Sequence, residues 1–200
     1  VCWICGGTDA GKSTLTRELA QRYRLPVYHY DAHDLPHHLR LAERDAEHAR
    51  FLAQSLDERW TEPSVDELVA RTWRSFQDRF PLVIEDLTAL ELPPGMSVIA
   101  EGFGLTPSLV NDATGAVPRM VCLVPTDEFK VASMERRGKG QFGGQVSDPA
   151  RAFVNLLRRD QALAARLRAE ANALNVPVIE VDGVRSVEEI SDQVASQFDL

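Results

Sequence analysis

The run Gly6-Gly7-Thr8-Asp9-Ala10-Gly11-Lys12-Ser13 carries the densest chemistry in the chain, because it fits the spacing G-x-x-x-x-G-K-[ST]. Glycines in such a run let backbone N–H groups curl around phosphate oxygens, and a helix starting behind them adds the positive end of its dipole. Lys12 is placed to reach β- and γ-phosphates, and the Ser13 hydroxyl to ligate magnesium. The motif means this only between a strand and a helix. Val1-Cys-Trp-Ile-Cys5 ahead of it is β-prone, while Leu15, Leu19 and Tyr23 behind it recur at helical spacing. We therefore expect Gly6, Gly7, Thr8, Asp9, Ala10, Gly11, Lys12, Ser13 and Thr14 to bind a nucleoside triphosphate, namely ATP with Mg2+.

Further charged residues fall where phosphate chemistry needs them. Asp31 closes a β-prone stretch, Pro26 to Tyr30, and is read as the base or acceptor-orienting group; the alternative is a turn or helix cap, for which Asp34 is better placed. Glu101 ends Ser97-Val-Ile-Ala100 and is read as holding a magnesium-bound water or touching substrate, with strand-end hydrogen bonding as the alternative. Arg136 and Arg137 precede the glycine-rich Gly138 to Gly144, and Arg151, Arg158 and Arg159 follow it. That segment, about 138–148, reads as a mobile lid that carries guanidinium groups onto phosphates, with Arg137 catalytic and Arg136 and Arg158 binding the nucleotide. The bland alternative for each arginine is a solvated helix face. Asp160 lies on the apolar face of its helix, where an unpaired carboxylate would be costly, so it should pin one of these arginines. His29, His33, His37 and His38 cluster, but Pro36 should interrupt a helical His33/His37 pair, and polar pocket or surface roles are preferred to zinc. Arg40, Arg44, Arg59 and Trp60 could meet an anionic or ring-bearing acceptor, although packing alone would explain Trp60.

The elements that must position these groups alternate. Strands are expected at Val1–Cys5, 26–30, 97–100, 120–124 and 176–181, with helices between them, which gives a three-layer α/β/α fold around a mostly parallel five-stranded sheet. Two helices should fill about 35–92, separated by Thr61-Glu-Pro-Ser64, where Ser64 and Glu67 make a capping box. Val69, Trp73, Phe76, Phe80, Val83, Leu87 and Leu90 form the apolar stripe of the second, so Leu82 to Asp86 is read as helix rather than as a rival strand. Thr126 should cap a helix to Arg137, Ser147-Asp-Pro149 should start another, and Ser186 with Glu189 the last. In the Pro149 helix Phe153, Leu156, Leu157, Leu163 and Leu167 are expected inside, with Arg151, Asn155, Arg158 and Arg159 opposite. Cys2 and Cys5 should diverge as buried thiols, since residues three apart on a strand face opposite ways. A single domain is expected.

At 200 residues with 44% hydrophobic and 26% charged residues, the composition is that of a globular protein with no apolar run long enough to span a bilayer. The net charge of −8 disfavours nucleic acid as a partner. Three cysteines without framework spacing suggest the cytoplasm, and a few residues are expected ahead of Val1 rather than a cleaved leader.

No guanine-reading N-K-x-D segment follows the later strands. Gly6 to Thr14, Asp31, Glu101 and the arginine-bearing lid together make the chain resemble the small-molecule and nucleoside monophosphate kinase group of P-loop proteins, which includes shikimate kinase, uridine kinase and chloramphenicol phosphotransferase. The resemblance implies strand order 2-3-1-4-5, a lid closing over the phosphates, an adenine contact at Asp182-Gly183, and ATP-dependent transfer of a phosphoryl group to a hydroxyl of a small metabolite, nucleoside or antibiotic-like acceptor. It does not identify that acceptor. The alternatives are a nucleotide-binding switch or slow ATPase acting on a protein partner, and a kinase of nucleic-acid ends.

Overall fold

In a parallel sheet every strand delivers its C-terminal residue to the same edge, and here that edge collects the groups singled out above. The structure, a computed structural model, describes residues 1–115 and 119–200. Five strands, β1 (Cys2–Gly6), β2 (Val27–His29), β3 (Ile99–Gly102), β4 (Met120–Pro125) and β5 (Val178–Val181), line up as β2-β3-β1-β4-β5 with every neighbouring pair parallel. The helices are α1 (Lys12–Tyr23), α2 (Asp34–Ala42), α3 (Ala46–Ala53), α4 (Val65–Thr88), α5 (Pro107–Thr114), α6 (Asp127–Arg136), α7 (Pro149–Ala173) and α8 (Val187–Gln197). None of the described helices is long and apolar enough to cross a membrane.

Alternation along the strands divides the core in two. Trp3 and Cys5 face Trp73, Phe76 and Phe80 of α4 and Leu163 and Leu167 of α7. Cys2 and Ile4 face Leu15 and Leu19 of α1 and Val194 and Phe198 at the end of α8. The two cysteines of β1 therefore diverge, and Cys5 instead meets Cys122 across the β1–β4 register. Burial, and then Cys122, push the Cys5 thiol pKa well up, which keeps it an unreactive core group.

Between β2 and β3 the chain makes a 3-10 turn at Tyr30–His33, which carries Asp31, then three α-helices and a π-helical turn at Asp57–Thr61, not two helices. The first expected helix breaks after Ala42, and α3 restarts under Asp45, whose side chain accepts from Glu47 N at 2.8 Å. Asp34 is not a cap: it is the first residue of α2, and its carboxylate accepts from Arg79. By contrast α4 is one 24-residue helix opened by the Ser64/Glu67 capping box, and it runs through Leu82 to Asp86 with Trp73, Phe76, Phe80 and Val83 buried. Leu90 falls beyond its end and is exposed. Helix α5 has no counterpart among the expectations, although its signals are in the sequence: Thr106 caps Leu109 N, Pro107 sits at the first position and Gly115 adopts αL at the end.

Gly6 is where the chain leaves the sheet. Its φ of +142° and the Leu123 carbonyl oxygen, 1.9 Å from where a Cβ would sit, exclude any side chain. Gly6→Ala should lower the unfolding free energy by about 3 kcal/mol, combining overpacking with backbone strain. Urea denaturation of the variant beside the parent protein measures this.

Candidate functional site

The loop after β1 wraps the N-terminus of α1. Gly7 N donates to Leu123 O at 2.9 Å, Asp9 takes φ +64°, and no side chain caps the helix, so its first N–H groups open into a cavity of about 630 Å³. Thr8 to Thr14 line that cavity, together with Asp31, Phe129, Arg136, Arg137, Lys139, Gly183 and Arg185. Lys12 folds over the loop and donates to Gly6 O (3.2 Å) and Gly7 O (2.9 Å). Burial lowers its pKa, and Asp31 and Glu101 offset part of that.

A buried charge network fastens the loop from behind. Asp160, in the middle of α7, accepts from Thr8 Oγ1 at 2.5 Å, Lys130 Nζ at 2.7 Å and Arg159 at 2.5 Å. Lys130, a buried residue of α6, also bonds Thr8 and reaches Asp9 at 2.6 Å. Asp9 further takes Arg137 at 2.7 Å and Lys139 at 3.0 Å. Burial works to raise both carboxyls, but for Asp160 the charges of Arg159 and Lys130, and for Asp9 the bonds from Lys130 and Lys139, hold them below the ordinary range. Asp160 thus pins Arg159 as expected. Lys130 was not anticipated, because its partners lie far away in sequence.

Glu101 is buried at the end of β3. Its Oε1 accepts from Ser13 Oγ at 3.1 Å and faces His29 Nδ1 at 2.8 Å, while its Oε2 is buried without a hydrogen-bond partner among the described residues. A serine hydroxyl beside a carboxylate with an unsatisfied oxygen is an all-oxygen donor set that fits Mg2+.

A second cavity, about 490 Å³, opens on the other side of Asp31. Its walls come from the segment between β2 and β3 together with Phe103 and Arg159. Asp31 lines both cavities; its carboxylate is exposed and makes no hydrogen bond or ion pair with another described residue. Tyr30 next to it is buried, with its ring against Gly102 and Gly104, where any Cβ would lie 2.2 and 2.3 Å from ring-side atoms.

The remaining residues sort themselves around these cavities. Arg136 lies over the Phe129 ring, 6.0 Å from its centroid, and Arg158 is exposed and lines neither cavity. Asn155 and Arg159 do not face water: Asn155 is buried and donates to Trp60 O (2.9 Å) and Pro63 O (3.1 Å), and Arg159 stacks over Trp60 at 4.7 Å. Phe153 and Leu157 are only half-buried. Trp60 and Arg59 line the second cavity, whereas Arg40 pairs with Glu85 at 2.7 Å away from it. Pro36 does not separate His33 from His37; both reach Asp86 Oδ2, at 3.1 and 2.8 Å, and Tyr28 joins them at 2.9 Å. Tyr28 and His37 hydrogen-bond that oxygen, and His33 lies within ion-pair distance of it. His38 faces His48 at 2.8 Å, and burial, then His48, push the His38 pKa down to about 4. Asp182 accepts from Val184 N at 2.9 Å, and Gly183 packs on Phe129.

No family model matches the chain, and no curated protein matches it in sequence. Among solved structures it is similar to an uncharacterized protein from Eubacterium ventriosum, at 14% identity over 99% of this chain and 97% of that one, with a TM-score of 0.49. It is also similar to a putative kinase from Chloroflexus aurantiacus, at 17% identity over 98% and 97% with a TM-score of 0.46. A third is shikimate kinase from Acinetobacter baumannii in complex with shikimate, at 16% identity over 98% and 90% with a TM-score of 0.49.

Asp160→Asn leaves Lys130 and Arg159 without that carboxylate and should cost about 3 kcal/mol at neutral pH. Because the folded pKa is depressed, the contribution is complete above the ordinary Asp value and is lost as pH falls below it. The gap between wild type and variant, measured by urea unfolding at successive pH values, should therefore narrow in acid.

Proposed function

We propose that this protein is an ATP-dependent phosphotransferase that moves the γ-phosphoryl group of ATP to a hydroxyl of a small molecule. The observation that carries this reading is Asp31, an unpaired carboxylate standing between a cavity lined by the phosphate loop and a separate cavity lined by the segment between β2 and β3. Two adjoining cavities with a free base at their junction suit transfer between two bound molecules.

In this reading the adenine end lies between Phe129, Gly183 and Arg185, and the phosphates lie against the backbone of Gly6 to Ser13. Lys12 exchanges the Gly6 and Gly7 carbonyls for β- and γ-oxygens, and its buried position makes that charge strong because little water screens it. Asp31 accepts the proton of the acceptor hydroxyl as its oxygen attacks phosphorus; the bond from phosphorus to the β–γ bridging oxygen breaks, and ADP leaves. Arg137 and Lys139, held on Asp9, and Arg136 line the same cavity and are the cations that would exchange their present partners for the transferring group. Ser13 and Glu101 would hold Mg2+, which supplies charge neutralisation at the β- and γ-oxygens.

Incubating the protein with Mg-ATP and a pool of small metabolites should yield, by mass spectrometry, a product heavier by one phosphoryl group that is absent with Lys12→Ala. ADP formation without any phosphorylated product would turn the reading towards the switch or slow ATPase. With the acceptor in hand, Asp31→Asn should lower kcat by about 10²–10⁴-fold while the affinity for a fluorescent ATP analogue stays the same.

A further inference from the structure

The second cavity is short of negative charge in a way that says what fills it. Of the four carboxylates on its walls, Glu47 and Asp78 are engaged by Arg74 at 2.6 and 3.7 Å, Asp34 is engaged by Arg79, and Asp31 is shared with the first cavity. Arg50, Arg59 and Arg71 have no carboxylate within ion-pair distance among the described residues. Arg59 instead donates to Phe51 O at 2.9 Å and keeps a buried Nε without a partner. Arg71 donates to Arg59 O at 2.8 Å and to the Gln54 side-chain oxygen at 3.3 Å. Burial, then the charges of Arg159 and Arg59, lower the Arg71 pKa, so these guanidinium groups repel one another. Arg79, although paired with Asp34, is only 2% exposed and leaves its Nε and Nη2 without a hydrogen-bond partner among the described residues.

These cations are held in place. Arg159 stacks on Trp60 at 4.7 Å and Arg59 on Phe51 at 4.6 Å, which fixes the planes of both forks. The π-helical turn that carries Arg59 and Trp60 is clamped by Asn155, and by Asp57 accepting from Ser147 N at 2.9 Å. Folding that orders several guanidinium groups against each other around an open space works against stability unless an anion occupies the space.

Building on the phosphotransferase reading, we propose that the acceptor is itself an anion, whose phosphate or carboxylate group sits on Arg59 and Arg71 while its hydroxyl faces Asp31; Arg159, on the same wall, stays paired with Asp160. Arg79, which lines the same cavity, supplies its unpartnered N–H groups to the acceptor's body. Phosphate and carboxylate both match the guanidinium fork, so the shared requirement is a planar or tetrahedral oxyanion.

The test uses the full chain with its phosphate loop filled by Mg2+ and a non-hydrolysable ATP analogue. Inorganic phosphate and acetate are titrated separately at constant ionic strength and followed by calorimetry and thermal shift. One of them should bind saturably at a single site, phosphate pointing to a phosphomonoester acceptor and acetate to a carboxylate. Arg59→Gln and Arg71→Gln should each weaken that binding by about tenfold or more, with the affinity for the analogue unchanged as evidence that the fold is intact. Absence of saturable binding by either anion, or binding indifferent to both substitutions, would overturn the proposal. Failure of the analogue to bind in a Lys12-dependent way would instead remove the phosphotransferase reading, and the dependence of anion binding on Arg71 would still be readable.

Discussion

Lys130 is the ion on which the site is built. It is buried between two carboxylates, Asp9 at 2.6 Å and Asp160 at 2.7 Å, and it bonds Thr8 as well. An ammonium this far from water is tolerable only with such partners, and they tie α6 to two other elements: Thr8 and Asp9 belong to the loop after β1, and Asp160 to α7. Because the loop is otherwise a run of glycines and small residues with high conformational entropy, its shape in the absence of nucleotide is set from behind by this triad. The same interaction therefore supplies both tertiary stability and the preorganisation that phosphate binding requires.

The arrangement has an electrostatic consequence for the cavity. Asp9 draws Arg137 and Lys139 as well as Lys130, so three cations gather on one carboxylate beside the place where phosphates would lie. Before a ligand arrives they are neutralised and stored; a polyanion competes with Asp9 for them. Across Asp31 the opposite condition holds, since Arg59 and Arg71 have no acid to store them. A chain with a net charge of −8 thus presents basic interiors on both sides of its proposed base. Net charge describes the outer surface, whereas recognition follows the local field inside each cleft.

How much of this was legible in the sequence followed contact range. The glycine-rich run after β1 is contiguous, so its spacing alone predicted a loop between a strand and a helix, and Asp31, in the turn after β2, and Glu101, next to the last residue of β3, were placed at the sheet edge by the strand pattern. The topology was consistent with the expected order because alternating strands and helices leave few ways to cover both faces of a sheet. Thr8 and Asp160 are 152 residues apart, and no local pattern announces that pair. Arg79 did leave a trace: it lies next to Phe80 and one turn from Phe76, a charge on the edge of an apolar stripe. The clustered histidines misled for a geometric reason. Pro36 falls in the first turn of α2, where a missing N–H costs nothing, so the helix continues and His33 and His37 meet at Asp86.

Asp31, the proposed base, is placed without a hydrogen bond or ion pair of its own to another described residue. Its position is inherited from Tyr30, whose ring is seated against Gly102 and Gly104, crossed edge-on by Phe76 at 6.3 Å and covered by Arg79 at 4.2 Å. Burial therefore fixes the neighbour and leaves the carboxylate free. Filling the space at Gly104 would move Asp31 without touching it, so the glycines after β3, silent as chemistry, belong to the site as much as the acid they position.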